Sequence, residues 1–494
     1  MGSPTDLSNI QRRVMHERWI LALLLLILAV VGYRSIDGSA VTKDAAQNLQ
    51  MALNLSHQGV ISTDEAAPWR PSMYREPLPV LLDAAAINVV DALLGKADAQ
   101  QYFSGPRARY VKLQNIIWLL ALAAGVFAVS RRITGSLPAA VVATVLASKY
   151  MVGETGTNVL YTELLAGALM ILALAALERT QSEGGWGAAV AVGLLFGLLT
   201  LTKAATLYVF VFMLLVILTG HLTGVLWPGG RKRLWQLAAM SLAFAVVIAP
   251  WMLRNLETFG HAKISSRGGL VLYSRALWDE LTPVEYRGTF YVWARPACQG
   301  ALGRLLGFSP RDLERGGKLE RLSDEPGTSV YDNDVAAESA GRPELAIGLH
   351  RRARAERVRL EKWYEESGRP FPDVDADEAM QREGMRIVLQ HFGANLAMVM
   401  PLIWRSALMI FPAVLLGLIY SLSTRRHSLT LLLLPGFATL GFYAMATHFE
   451  PRPAMIVHST AVLAVVVLAN ALWRRYAPVR TGTRAGAIAK HQEV

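Results

Sequence analysis

The sequence predicts an all-α, polytopic membrane protein of about ten transmembrane helices, with surface helices in its first external loop and a small external soluble region. Three observations carry that expectation. Hydrophobic residues fill 53% of the 494 positions and charged residues only 18%, where a soluble domain carries about a quarter. The charges are segregated, so that stretches such as 19–31, 118–129 and 459–472 contain none. These runs are apolar all round, without the alternation of a membrane barrel. Backbone amides in lipid must be satisfied within the segment, which makes each run a helix.

Taken in order, spans fall near 19–33, 113–130, 137–152, 160–178, 186–202, 204–222, 234–252, 404–422, 429–446 and 455–473. Thr202-Lys203 marks the division between the fifth and the sixth. Arg12, Arg13 and Arg18 precede the first run and no small-residue cleavage site follows it, the pattern of an uncleaved signal anchor. With the N-terminus in the cytoplasm, alternation places Arg131-Arg132, Glu178-Arg179, Arg231-Lys232-Arg233, Arg425-Arg426 and Trp473-Arg474-Arg475 on the cytoplasmic side. Each carries a positive residue, while the loop 154–158 opposite carries no lysine or arginine. The positive-inside rule therefore puts both termini in the cytoplasm. The net charge of +11 belongs to these flanks rather than to a nucleic-acid surface. The lone cysteine, Cys298, rules out an intramolecular disulfide, and the scattered histidines form no ligand spacing for a metal.

Four regions follow. Residues 1–252 form an N-terminal membrane region whose first external loop is 34–112. Residues 253–390 form an external soluble region, 391–476 the C-terminal membrane helices, and 477–494 a basic cytoplasmic tail. In the first loop, Leu49, Ala52, Leu53 and Leu55 share one helical face, as for a helix lying on the membrane surface. A second apolar stretch runs over 78–94. In the external region, 343–366 and 376–390 read as helices rich in both charge signs.

The residues with chemical interest lie on the external face. Asp44 is followed by Asn48, Ala52 and Gly59. Then comes Met73-Tyr74-Arg75-Glu76-Pro77-Leu78-Pro79. Thr162-Glu163 opens one span, and Gly193, Gly197, Leu201, Thr202 and Lys203 close another. Pro250-Trp251-Met252-Leu253-Arg254-Asn255 is followed by Gly260, Ser265-Ser266 and Gly269, and His448–Pro453 precedes the last span. In this order the segments resemble the GT-C glycosyltransferases, membrane enzymes that use polyprenyl- or dolichyl-phosphate sugars, with protein mannosyl- and aminoarabinose transferases among them. The departures are Asn48 where the family has tyrosine, one residue fewer before Pro79, and no tyrosine in 448–453. The segment 300–370 resembles nothing in the family.

The resemblance implies transfer of a hexosyl or pentosyl group from a polyprenyl-phosphate donor to an acceptor hydroxyl, with inversion, on the non-cytoplasmic face. The acceptor is a glycan, lipid or protein, and the setting is a bacterial inner membrane with the site facing the periplasm or exterior. Asp44 is then the catalytic base. Arg75, Glu76, Lys203, Arg254, Asn255, His448, Glu450 and Arg452 are the substrate-binding residues. Such chemistry needs a carboxylate to take the acceptor proton and cations for the departing phosphate, which a guanidinium engages through two oxygens. The resemblance implies no particular cofactor; a divalent metal is compatible with the chemistry, but no residue spacing indicates one. Each residue also has a plainer role. Asp44 suits a helix N-terminus, Arg254 and Lys203 suit interfacial anchors, and Asp37 rivals Asp44. A multi-pass transporter or flippase, and a ligase or polymerase of lipid-linked glycans, are the competing functions.

Overall fold

The computed structural model describes residues 4–225, 230–324, 326–447 and 450–476, and among these residues every regular element is helical. The chain is an all-α, multi-pass membrane protein. Each of the ten apolar runs is mostly helical. Six helices are long and apolar enough to cross a bilayer: Met15–Arg34, Pro77–Leu94, Pro106–Thr134, Gly230–Phe259, His427–Ala446 and Pro451–Tyr476. A seventh arises if Pro372–Gln390 and Phe392–Ala407, bent by 99°, count as one broken span. Leu137–Tyr150, Trp186–Thr200, Thr206–Leu222 and Ile410–Ser423 are shorter apolar helices. The run at 160–178 becomes Glu163–Glu183, whose Glu163, Glu178 and Arg179 dilute its apolar character.

The break at Thr202-Lys203 is present, since one helix stops at Thr200 and the next starts at Thr206. The run at 404–422 divides differently from the expectation. Phe392–Ala407 ends first, and Ile410–Ser423 starts two residues before Pro412. A proline in a first helical turn lacks an N–H that would have no helical partner anyway, so Pro412 favours a fresh start there.

The positive flanks gather at one end of the helix array. Arg131 pairs with Glu17 at 2.7 Å, and Arg132 with Glu178 at 2.7 Å and Glu183 at 2.5 Å. Arg233 donates to the carbonyl of Thr180 at 2.7 Å, and Arg474 to that of Thr134 at 2.5 Å. Between the ends, Gly193 and Gly197 let Trp186–Thr200 lie against Gly230–Phe259. A Cβ on Gly193 would stand 2.1 Å from the Met240 carbonyl oxygen, and one on Gly197 2.6 Å from Val247 Cβ. Small residues permit such close helix packing where lipid gives no hydrophobic drive.

At the opposite end, the first loop folds into the helices Lys43–Gln58 and Pro77–Leu94. Leu49, Ala52, Leu53, Val80, Ala84 and Ile87 are buried in one apolar cluster between them. Residues 253–390, expected to be external, contribute Gly268–Ala276, Pro283–Val292, Pro296–Leu306, Ser329–Ala340, Leu349–Glu366 and Pro372–Gln390. Pro343–Leu345 forms only a short 3-10 turn ahead of the helix expected from 343. The two parts face each other across a cavity.

Candidate active site

The spacing Asp44, Asn48, Ala52 is one face of the helix Lys43–Gln58. Gly59 ends that helix at φ 74°, donating its N–H to the Leu55 carbonyl. This left-handed capping position costs a glycine nothing. Pro77 starts Pro77–Leu94 after Glu76, and the Leu78 N–H donates to the Leu201 carbonyl at 3.0 Å. That bond joins the segment 73–79 to the break before Lys203.

The cavity between these elements and the external helices has a volume of about 1550 Å³. Asp44, Arg75, Glu76, Lys203, Glu450 and Arg452 all line it. At its centre Asp44 Oδ1 accepts from Arg75 Nη2 at 2.6 Å, and Oδ2 accepts from Arg452 Nη2 at 2.9 Å. A third guanidinium, that of Arg267, lies 3.6 Å from Oδ1. Burial alone would raise the Asp44 carboxyl, but Arg75, Arg267 and Arg452 hold it well below the usual carboxylate range. Arg75 is 5% exposed, also donates to Gln47 Oε1, and keeps a buried Nε without a hydrogen-bond partner.

Beside this cluster, Lys203 Nζ donates to Glu163 Oε1 at 3.0 Å, and Glu163 Oε2 is buried without a hydrogen-bond partner. Glu76 Oε1 accepts from the Ala204 N–H at 3.4 Å. Glu450 Oε2 is 3.5 Å from Arg452 Nη2. Leu207, Tyr208, Met252 and Phe442 make the neighbouring wall apolar. His448 lies outside the described residues. Among the described residues no three His, Cys, Asp or Glu side chains group as metal ligands.

Arg254 and Asn255 stand apart from the lining. The Arg254 guanidinium sits over the rings of Trp251 and Phe259, at 4.8 and 5.0 Å, and donates to the Ser72 carbonyl at 3.3 Å and to Asn255 Oδ1 at 2.8 Å. Asn255 is fully buried and donates through Nδ2 to the Lys263 carbonyl at 2.7 Å. Trp251 Nε1 donates to the Ile264 carbonyl at 2.8 Å. The motif therefore clasps the turn 260–267, and that turn delivers Lys263 and Arg267 to the cavity. Asp37 also lies outside the lining. Its Oδ1 accepts from the Ser39 N–H at 2.8 Å and from Asn158 Nδ2 at 3.0 Å, which ties the first loop to the turn after Leu137–Tyr150.

Sequence reasoning did not single out Arg267, Tyr74 or Arg357. Arg75, Arg267 and Arg357 surround the Tyr74 ring at 5.5, 5.5 and 4.9 Å from its centroid. Arg267 had a signal in its place between Ser266 and Gly269. Arg357 had none, because Leu349–Glu366 carries many arginines and only the fold distinguishes them.

No known protein family and no curated relative matches the sequence. Solved structures similar to the chain include the following two. One is the archaeal oligosaccharyltransferase AglB from Archaeoglobus fulgidus in complex with an inhibitory peptide and a dolichol-phosphate. It has 13% identity and a TM-score of 0.43, with 95% of this chain and 53% of that one covered. The chain thus spans about half the length of that protein. The other is ArnT from Cupriavidus metallidurans in the apo state, with 15% identity, a TM-score of 0.35, and 89% and 77% of the two chains covered.

Proposed function

We propose that the chain is a GT-C-type glycosyltransferase that moves a sugar from a polyprenyl-phosphate donor to an acceptor hydroxyl on the non-cytoplasmic face. The single observation that carries this reading is the Asp44 carboxylate ringed by Arg75, Arg267 and Arg452 in a cavity with one apolar wall. The apolar wall suits a lipid tail and the guanidiniums suit its phosphate. Arg75 and Arg452 bind that phosphate, with Arg267 and Lys203 beside them. Glu76 and Glu450 accept hydrogen bonds from the sugar. Arg254 and Asn255 act through the turn they hold.

In the reaction, Asp44 takes the proton of the acceptor hydroxyl as its oxygen bonds to the anomeric carbon. The bond from that carbon to the phosphate oxygen breaks on the opposite face, and its electron pair leaves with the lipid phosphate. The configuration inverts. A carboxylate clamped by three guanidiniums is a weak base. Donor phosphate that draws the guanidiniums away from Asp44 restores its basicity, so base activation follows donor binding. The test is incubation of the purified protein with a panel of polyprenyl-phosphate sugars. Sugar-dependent release of polyprenyl phosphate is expected, with an inverted linkage by NMR when an acceptor is present. Failure to cleave every donor would remove the reading.

A further inference from the structure

We infer that the outer part of the cavity is a saccharide subsite, in which Asp377, Arg357 and Lys263 hydrogen-bond hydroxyl groups of a neutral glycan acceptor. This rests on the glycosyltransferase reading and deepens it. All three residues line the cavity on the side of the external region.

Asp377 is 1% exposed. Its Oδ1 is satisfied by the Gly269 and Leu270 N–H groups, at 2.9 and 3.2 Å. Its Oδ2 is buried and has no hydrogen-bond partner. The Lys263 ammonium stands 3.9 Å from that oxygen, beyond hydrogen-bond reach, and is held by Glu378 at 2.5 Å and Gln381 at 2.6 Å. Arg357 is 8% exposed, and its Nε donates to Glu361 at 2.6 Å. Its Nη1 is buried without an acceptor.

One wall of the cavity thus holds a buried acceptor that lacks a donor and a buried donor that lacks an acceptor. Native proteins rarely leave such atoms unmatched, because each loses its bonds to water on burial. A group that accepts and donates at once, as a hydroxyl does, satisfies both kinds. A phosphate or carboxylate would suit Arg357 and be repelled by Asp377, while an ammonium would suit Asp377 and be repelled by Arg357. Arg357 also has Glu361, Asp373 and Asp377 within its electrostatic reach, so it is no surplus cation awaiting an anion. A sugar supplies neutral hydroxyls in adjacent pairs. The subsite lies on the helices Leu349–Glu366 and Pro372–Gln390, whereas Tyr208 and Phe442 make the apolar wall. In this inference the donor lies on the apolar side and the acceptor on the side of these two helices.

Asp377→Asn tests this with little disturbance, because Oδ1 can still accept from Gly269 and Leu270 while the second position turns from acceptor to donor. The full chain in nanodiscs is titrated with neutral gluco-, manno- and galacto-configured oligosaccharides, and with the same sugars carrying a uronate or a phosphate. Thermal unfolding and tryptophan fluorescence report binding. A neutral oligosaccharide is expected to bind the wild type, with an apparent Kd about tenfold or more higher in Asp377→Asn, as for a lost hydrogen bond to a charged group. If Asp377→Asn fails to fold, Lys263→Gln carries the same comparison, since Lys263 is only part-buried. Binding of the charged sugars alone, equal affinity in variant and wild type, or no binding by any sugar each overturns the inference. Release of polyprenyl phosphate by hydrolysis of the donor, with water taking the sugar in place of the acceptor, is measured in parallel. Donor cleavage without saccharide binding sinks the subsite and leaves the transferase reading standing.

Discussion

At the scale of the residue, the chemistry turns on how Asp44 is held. Asn in its place keeps the size but cannot take a proton. A general base contributes about 10²–10⁴-fold, and kcat of Asp44→Asn should fall by that factor in a donor-to-acceptor assay. A role confined to the first turn of Lys43–Gln58 would instead cost about 1 kcal/mol of stability or less and leave turnover alone. Thermal unfolding beside kinetics separates the two. The depressed Asp44 carboxyl fixes the sign of the pH dependence. Its contribution to stability is complete above the unfolded value of about 3.9 and is lost only as pH falls through the lower folded value. In the free enzyme Asp44 is therefore ionised across the neutral range, and kcat/KM should show no acidic limb from it above about pH 4. Once donor phosphate competes for Arg75, Arg267 and Arg452, the carboxyl rises. The acidic limb of kcat should then lie at higher pH than that of kcat/KM. Coincident limbs would mean that the guanidiniums never leave Asp44.

Among the elements, the sequence signals mark joints more often than contacts. Gly59 stood out as part of a motif and is a helix cap; Gly193 and Gly197 are where two helices touch. Pro250 to Asn255 reads as a site motif and is a clasp around 260–267. Apolar periodicity marks helices plainly because it is local. Arg75 and Arg452 stand in segments the sequence marks, but that they and Arg267 all meet at Asp44 is set by the fold, for Arg267 by the turn after residue 259, and no local pattern encodes that meeting. Asn255→Ala should thus impair the enzyme without touching substrate. It removes the hydrogen bond to the part-buried Lys263 carbonyl, at about 0.5–1.5 kcal/mol, and frees the turn that carries Arg267. A lower unfolding midpoint together with a raised donor KM is expected; a normal donor KM at a lowered midpoint would show that the clasp serves stability alone. Gly269 allows a similar test. A Cβ there would stand 1.8 Å from the Asp377 carbonyl oxygen, so Gly269→Ala must push Gly268–Ala276 off Pro372–Gln390. Overpacking of this kind costs about 1–3 kcal/mol, and here it moves Arg267 and Asp377 together. Both donor and acceptor KM should rise.

For the whole molecule, the arrangement depends on one orientation in the bilayer. Ion pairs and carbonyl contacts of Arg131, Arg132, Arg233 and Arg474 collect at one end, and the Asp44 cluster and the external helices collect at the other. We propose that the positive end is the cytoplasmic one, as the loop-charge rule has it; the cavity then lies on the far side, where a lipid-linked sugar and an extracytoplasmic acceptor can meet. Cys298 gives a direct probe. It is the chain's single cysteine, it is exposed, and it lies in the helix Pro296–Leu306 of the external region. In intact cells a membrane-impermeant maleimide should modify it without any engineered change. In a Cys298→Ser background, Arg425→Cys places a thiol on an exposed residue of the short connection between Ile410–Ser423 and His427–Ala446. That thiol should resist the same reagent until the cells are permeabilised. The opposite pattern, Cys298 protected and position 425 labelled, would invert the molecule. It would set the Asp44 cavity in the cytoplasm, where donors built from nucleotide sugars would have to replace the lipid-linked ones proposed.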